Sequence, residues 1–370
     1  MKEKQGLYSK PMRAAALVRV AFTFIGCLVG AGFLSGQELW QFFGSKGVLS
    51  FVGLAISMVL TAAMGAVILA LATDSGEAHM DRIIVWFDCK WLRALVAVFE
   101  VLFLFMVYVL NVAAVGSLVH QIFPACPVFV GSIVFCAICT ALSVAGVAGL
   151  ARILSGLMPV LILLTAALAI FAIFTGDGMQ FPVVHVQGLV SGNWAVDGVI
   201  YAVFCMFCAI PVLAPLGGSV PSARIARRGV VLGCVFFAAL ALLILLAVAT
   251  APTVADSALP MLTLAVSKNG ALGFVYAFLL IFGICSSGLS SQSALNEYFV
   301  QRLPRARRYL LPVSALMALI AFLLGLFGFQ SLIGILYPLF GYIGVLPLAL
   351  LLVHAVLFYR GKHRQKHTNK

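Results

Sequence analysis

The chain is built almost entirely from apolar runs too long to be anything but membrane helices. Ten can be marked off, at 15–43, 47–72, 92–123, 127–147, 151–174, 194–216, 228–250, 270–298, 309–328 and 331–359. Crossing the hydrocarbon layer takes about 20 apolar residues as a helix. A barrel strand would instead alternate polar and apolar residues over about 10 positions, and these runs do not alternate. Composition closes the argument. Of 370 residues, 64% are hydrophobic and 9% charged, and mean hydropathy is +1.16, whereas a soluble domain carries about 25% charged residues. So few charges cannot cover a water-facing surface. The expected fold is an all-α polytopic membrane protein with ten transmembrane helices, and a soluble enzyme is excluded. The first run is too long for the apolar region of a cleavable signal peptide and lacks a small-residue cleavage pattern.

The formal net charge of +12 would suggest nucleic acid in a soluble chain. Here it follows membrane topology. With the N-terminus inside, 21 of the 23 Lys and Arg residues fall on inner segments, leaving only Lys46 and Lys268 outside, as the positive-inside rule requires. The expected organisation is a cytoplasmic segment at 1–14, five helices over 15–174, five more over 194–359, and a basic cytoplasmic tail at 360–370. The chain is expected in a cell inner or plasma membrane, with both termini cytoplasmic and no nucleic-acid partner. The longest outer connections are 175–193 and 251–269. The inner stretch 73–91 is amphipathic enough to lie along the interface. Nine cysteines fall mostly within apolar runs and read as small packing residues. The pairs Cys136/Cys139 and Cys205/Cys208 have C-x-x-C spacing without the second pair or histidines of a metal site. Cys126 alone lies near the outer face, so no outer disulfide is expected.

Span 1 carries Gly26, Gly30, Gly32 and Gly36 in eleven residues. Each weakens a helix by roughly 1 kcal/mol relative to alanine. Unwound backbone at membrane depth persists only where it is buried or lines a cavity, and in transporters such breaks form substrate and ion sites. The alternative is helix packing, because Gly26/Gly30 and Gly32/Gly36 are both G-x-x-x-G pairs. Span 6 favours the first reading: Pro211 and Pro215 interrupt its hydrogen bonding some 15 residues in. Spans 1 and 6 open the two five-span halves, and interruptions at matching places in two halves point to a transport site. An odd number of spans per half makes the repeat inverted. Span 8 adds Ser286, Ser287, Ser290 and Ser291 around Gly288. Their hydroxyls suit a small hard cation, or they bond backbone and neighbouring helices.

Acidic residues within the runs are few, and a charge at membrane depth is a functional hypothesis by default. Glu38 lies just beyond the span 1 break and could meet a substrate cation or carry a proton. Glu100, in span 3, reads as a proton carrier or a neutral hydrogen-bonding group. Asp197, in the first turn of span 6, favours a helix N-terminus. Glu297, near Arg302, reads as half of a gating or interface ion pair. Tyr108 and Asn111 sit about mid-membrane in span 3, and Tyr108 is equally an ordinary buried aromatic. His120 and His185 lie near the outer surface. Arg152 is at the inner rim of span 5, which holds no lysine. No motif for an organic cofactor, a nucleophile–base pair or a phosphate loop is present.

The string Phe24-Ile-Gly-Cys-Leu-Val-Gly-Ala-Gly-Phe-Leu-Ser-Gly-Gln-Glu38 after a short basic segment resembles the YkvI-like membrane proteins, grouped with permeases of the amino acid–polyamine–organocation superfamily. The likeness extends over the length and the span count. It implies a LeuT-type fold, two inverted five-helix repeats with spans 1 and 6 broken. It implies a substrate carboxylate at Gly30, Ala31 and Gly32, with Ser35, Tyr108, Asn111, Cys208 and Pro211 as further substrate-binding candidates. It also implies a sodium ion between the carbonyls of Gly26, Val29 and Gly283 and the hydroxyls of Ser286 and Ser287. Glu38, Glu100 and Glu297 remain the proton-coupling or gating candidates. The expected function is secondary transport of a small amphoteric solute, an amino acid or relative, coupled to sodium or protons. Spans 1, 2, 6 and 7 would rock against 3, 4, 8 and 9. The alternative is a nutrient-sensing membrane subunit that binds without transporting. Whether the chain forms a homo-oligomer stays open.

Overall fold

The computed structural model describes residues 10–77, 80–146, 156–176, 178–183, 188–302 and 304–368. Arg152 and His185 lie outside them. The helices are α1 (Lys10–Leu28), α2 (Ala31–Ser35), α3 (Ser50–Ser75), α4 (Met80–Ile84), α5 (Lys90–Ile122), α6 (Val128–Val144) and α7 (Met158–Thr175). They continue with α8 (Trp194–Gly217), α9 (Ala223–Ala249), α10 (Pro260–Lys268), α11 (Gly270–Arg302), α12 (Leu310–Gly325) and α13 (Phe329–Thr368). Among the described residues, eight helices are long and apolar enough to cross a membrane. Of the other two apolar runs, one forms the 17-residue α6 and the other is divided between α1 and α2.

Helix α8 sits at the centre, flanked by α3 and α13, because glycines on all three let backbones touch. A side chain on Gly53 would meet the Trp194 carbonyl at 2.8 Å, and one on Gly198 the Gly53 carbonyl at 2.6 Å. At the other end of the helix Gly217 lies against Ala72, and on the α13 side Gly344 lies against Val203. Helix α9 covers α1 and α3, α11 packs on α5, and α6 and α12 close the far side. The α6–α11–α12 contact is polar and buried. Gln292 donates to Thr140 Oγ1 (3.0 Å), Asn296 to Ser143 Oγ (3.1 Å), and Ser314 to Asn296 Oδ1 (2.6 Å).

Several expectations are corrected. Span 6 is not broken: α8 runs unbroken through Pro211 and Pro215. Each proline removes one amide donor, but close packing along both flanks holds the helix together. Part of the stretch 73–91 packs onto the protein. Met80, Ile83, Ile84 and Val85 are buried, and α4 packs on α13, α5 and α8. There the His354 ring stacks on Trp86 and its Nδ1 meets the Ile83 carbonyl at 2.7 Å. The outer connection 251–269 is no open loop either, since α10 buries Met261, Leu262, Leu264 and Ala265. Glu297 forms no ion pair with Arg302. It is exposed, and the Arg302 guanidinium stands 5.3 Å from the Tyr298 ring centre.

Candidate functional site

The break in span 1 falls at Val29 and Gly30. The helical ladder ends with the Val29 amide on the Ile25 carbonyl (2.9 Å) and resumes with the Leu34 amide on the Gly30 carbonyl (3.0 Å). The carbonyls of residues 26–29 and the amides of 30–33 therefore fall at helix ends, where the ladder supplies no partner. Gly30 is extended, at φ −112° and ψ −176°. The chain turns again at Gly36, whose φ of +81° suits glycine and leaves room for Met261 of α10. After Gln37–Leu39 a π-helical turn, Trp40–Gly44, completes the segment.

A cavity of about 390 Å³ opens beside the break. Its wall brings together Gly26, Val29, Gly30, Ala31, Gly32 and Glu38 with Asn111 of α5, Cys208 of α8, and Gly283, Ser286 and Ser287 of α11. Gly26 and Gly30 are not packing glycines, because a side chain at either would meet nothing within 4 Å. The Asn111 amide bridges helices, donating to the Val107 carbonyl (2.7 Å) and to Ser287 Oγ (3.1 Å). Five candidates do not line this cavity. Ser35 caps locally, donating to the Gly32 carbonyl and accepting from the Gln37 amide. Tyr108 is fully buried beside Cys136 and Thr140. Pro211 lies one turn beyond Cys208 in α8, Glu100 is half-buried on α5, and Glu297 is exposed.

Glu38 is 3% exposed. Tyr201 of α8 donates to its Oε1 at 2.7 Å, and the Tyr337 hydroxyl of α13 also bonds it. Any side chain at Gly32 would come within 2.6 Å of Glu38 Oε2 and 2.7 Å of the Tyr337 hydroxyl. The glycine thus lets the carboxyl fold back onto the break. Sequence reasoning missed both tyrosines. The available signal was the helical spacing of Tyr201, Phe204 and Cys208, which puts them on one face of α8. Tyr337 stacks on Phe204 with ring centres 4.0 Å apart.

The opposite side is sealed. Every residue from Gly32 to Gly47 is buried. Asp197 is an ion-pair partner as well as a first-turn acid: Lys46 Nζ lies 3.2 Å from its Oδ2, with side chains 6% and 1% exposed. Ser191 adds amide and hydroxyl hydrogen bonds to Asp197 Oδ1 (2.8 and 2.7 Å). Gln41 donates to the Gln330 carbonyl (2.8 Å), and the Leu189 amide to the Gly334 carbonyl (2.8 Å). These bonds tie span 1, residues 189–197 and α13 together.

Fold and cavity describe a polytopic, all-helical membrane protein with a cavity beside an unwound helix. The chain is similar in fold to the manganese transporter of Eremococcus coleocola, solved in complex with an aromatic bis-isothiourea substituted compound. The two are 13% identical at a TM-score of 0.53, over 94% of this chain and 86% of that one. It is similar to the uncharacterized membrane protein YkvI of Bacillus subtilis (strain 168), 22% identical over 83% of this chain and 88% of that protein. The uncharacterized protein YyaD of the same strain is 23% identical over 173 residues, about half of each chain (47% and 46%). No family model matches. Among the described residues, no group of three or more His, Cys, Asp or Glu side chains is placed to hold a metal ion.

Proposed function

We propose that the chain is a secondary active transporter of a small amphoteric solute, an amino acid or a relative, working by alternating access. The observation that carries this is the cavity at the span 1 break. There unwound backbone, an inter-helix amide and a carboxyl converge at membrane depth, where irregular backbone persists only against protein or a cavity. A solute carboxylate meets Gly30, Ala31 and Gly32, and Asn111 and Cys208 complete the wall. Sodium sits between the carbonyls of Gly26, Val29 and Gly283 and the hydroxyls of Ser286 and Ser287. Residues 15–174 and 194–359 form two inverted repeats of the LeuT type, with the prolines of α8 standing where span 1 unwinds. The cavity is walled by the end of α1 and by Met158 at the start of α7, while the outer half of span 1 is buried.

The test is thermal stability of the detergent-purified protein against amino acids and betaines in sodium or potassium. A ligand of the native state raises apparent stability by mass action. Stabilisation that requires sodium supports the coupled transporter. Equal stabilisation in potassium removes sodium from the account, and none at all removes the amino-acid class.

A further inference from the structure

Among the described residues, the cavity is lined by one carboxyl and by no Lys, Arg or His, and Glu38 forms no ion pair. Its neighbours are phenols, Tyr201 on Oε1 and Tyr337. Two of the side-chain donors on the wall are spent inward: Asn111 uses its amide nitrogen on the Val107 carbonyl and Ser287, and Cys27 directs its thiol to the Thr23 carbonyl (3.0 Å). Backbone amides of the break remain as donors, and the acceptors beside them are the Glu38 carboxyl and the carbonyls at the end of α1. Beside the carboxyl, Tyr337 and Phe204 form a stacked aromatic wall, and Phe103 packs 6.0 Å from Phe204. A buried carboxylate is costly unless compensated. An ammonium group supplies the positive charge this wall lacks, offers N–H donors to the carboxyl, and is attracted to aromatic faces.

We infer that the bound solute supplies the counter-charge to Glu38: the cavity selects solutes bearing an ammonium group, and that group docks on the Glu38 carboxyl beside Tyr337. This deepens the solute-site reading above and rests on it. It makes the amine, rather than the carboxylate, the obligatory part of the ligand. An amine without a carboxylate should bind, and a carboxylate without an amine should not.

The experiment uses two matched series as probes on the full-length protein in detergent. One is isoamylamine, leucine and 4-methylpentanoate; the other is phenethylamine, phenylalanine and 3-phenylpropanoate. Binding is read by thermal shift and calorimetry at constant sodium. The expected result is saturable stabilisation by the ammonium-bearing members of at least one series and none by its carboxylate-only member. In Glu38→Gln, which can still accept from Tyr201, the Kd should rise at least tenfold. Should that variant misfold, the wild-type comparison decides alone, and Tyr337→Phe gives a second readout, with a smaller loss of affinity. Equal stabilisation by the carboxylate-only members, an unchanged Kd in Glu38→Gln, or no response to any ammonium probe overturns the inference. Binding needs no transport, so amine binding without liposome flux would sink the transporter reading and leave this one standing. Sodium-driven uptake of a solute lacking an amine would do the reverse.

Discussion

Replacing Lys46 by Met should destabilise the protein far more than replacing Lys46 and Asp197 together by Met and Asn. The pair is 3.2 Å apart, with both side chains nearly inaccessible. At an effective dielectric constant of about 20, that separation corresponds to about 5 kcal/mol of attraction. Desolvation takes several kcal/mol per ion in return, so the pair as a whole contributes little beyond an apolar replacement. Removing only the lysine is different. Asp197 would then sit at 1% exposure with, among the described residues, the Ser191 amide and hydroxyl as its hydrogen-bond partners. Stranding one member of a buried pair costs about 3–5 kcal/mol. Unfolding in mixed micelles titrated with SDS should show that loss for Lys46→Met and a comparable one for Asp197→Asn, which leaves the lysine stranded. The double variant Lys46→Met/Asp197→Asn should recover at least about 2 kcal/mol relative to the sum of its single changes, since contacting sites couple by about 0.5–3 kcal/mol. Additivity within about 0.5 kcal/mol would refute the ion pair as a coupled buried unit.

Three further outcomes follow from the same geometry. Gly26→Ala meets no neighbour and should hold or raise stability by up to about 1 kcal/mol, whereas Gly32→Ala displaces Glu38 and Tyr337 and should cost about 1–3 kcal/mol; comparative SDS unfolding checks both. Asn296→Leu removes the hydrogen bonds to Ser143 and Ser314 and should cost at least about 2 kcal/mol, counting the polar groups left unpaired, read as a lower unfolding midpoint. Asn111→Ala frees Ser287 and should reduce any sodium-dependent thermal shift while leaving the sodium-free midpoint within about 1 kcal/mol of the wild type.

Much of the fold was legible because lipid imposes a simple rule. Apolar runs long enough to span become helices, and observed boundaries such as Trp194–Gly217 and Lys90–Ile122 lie within a few residues of those read from the sequence. The break at Val29 and Gly30 was legible because clustered glycines make a membrane helix cheap to unwind. Whether those glycines packed or made space was undecidable locally, since it depends on what approaches them; nothing approaches Gly26 or Gly30, and two groups crowd Gly32. The prolines of α8 misled because their cost is offset by α3 and α13, which are remote in sequence. Short segments such as α4 and α10 carry a mixed pattern that suits a membrane surface as well as a buried cap. The Tyr201–Glu38–Tyr337 cluster was not legible because the spacing of Tyr201, Phe204 and Cys208 marks a shared helix face but not what that face meets, and Glu38 lies 163 residues from Tyr201.

The most direct test of the central claim is solute uptake into proteoliposomes across an imposed sodium gradient, using whichever amino acid or relative stabilises the purified protein. The account predicts accumulation against a solute gradient that collapses with a sodium ionophore and is strongly reduced in Gly32→Ala. Binding without any flux under sodium or proton gradients would contradict it and turn the cavity into a sensor's ligand site.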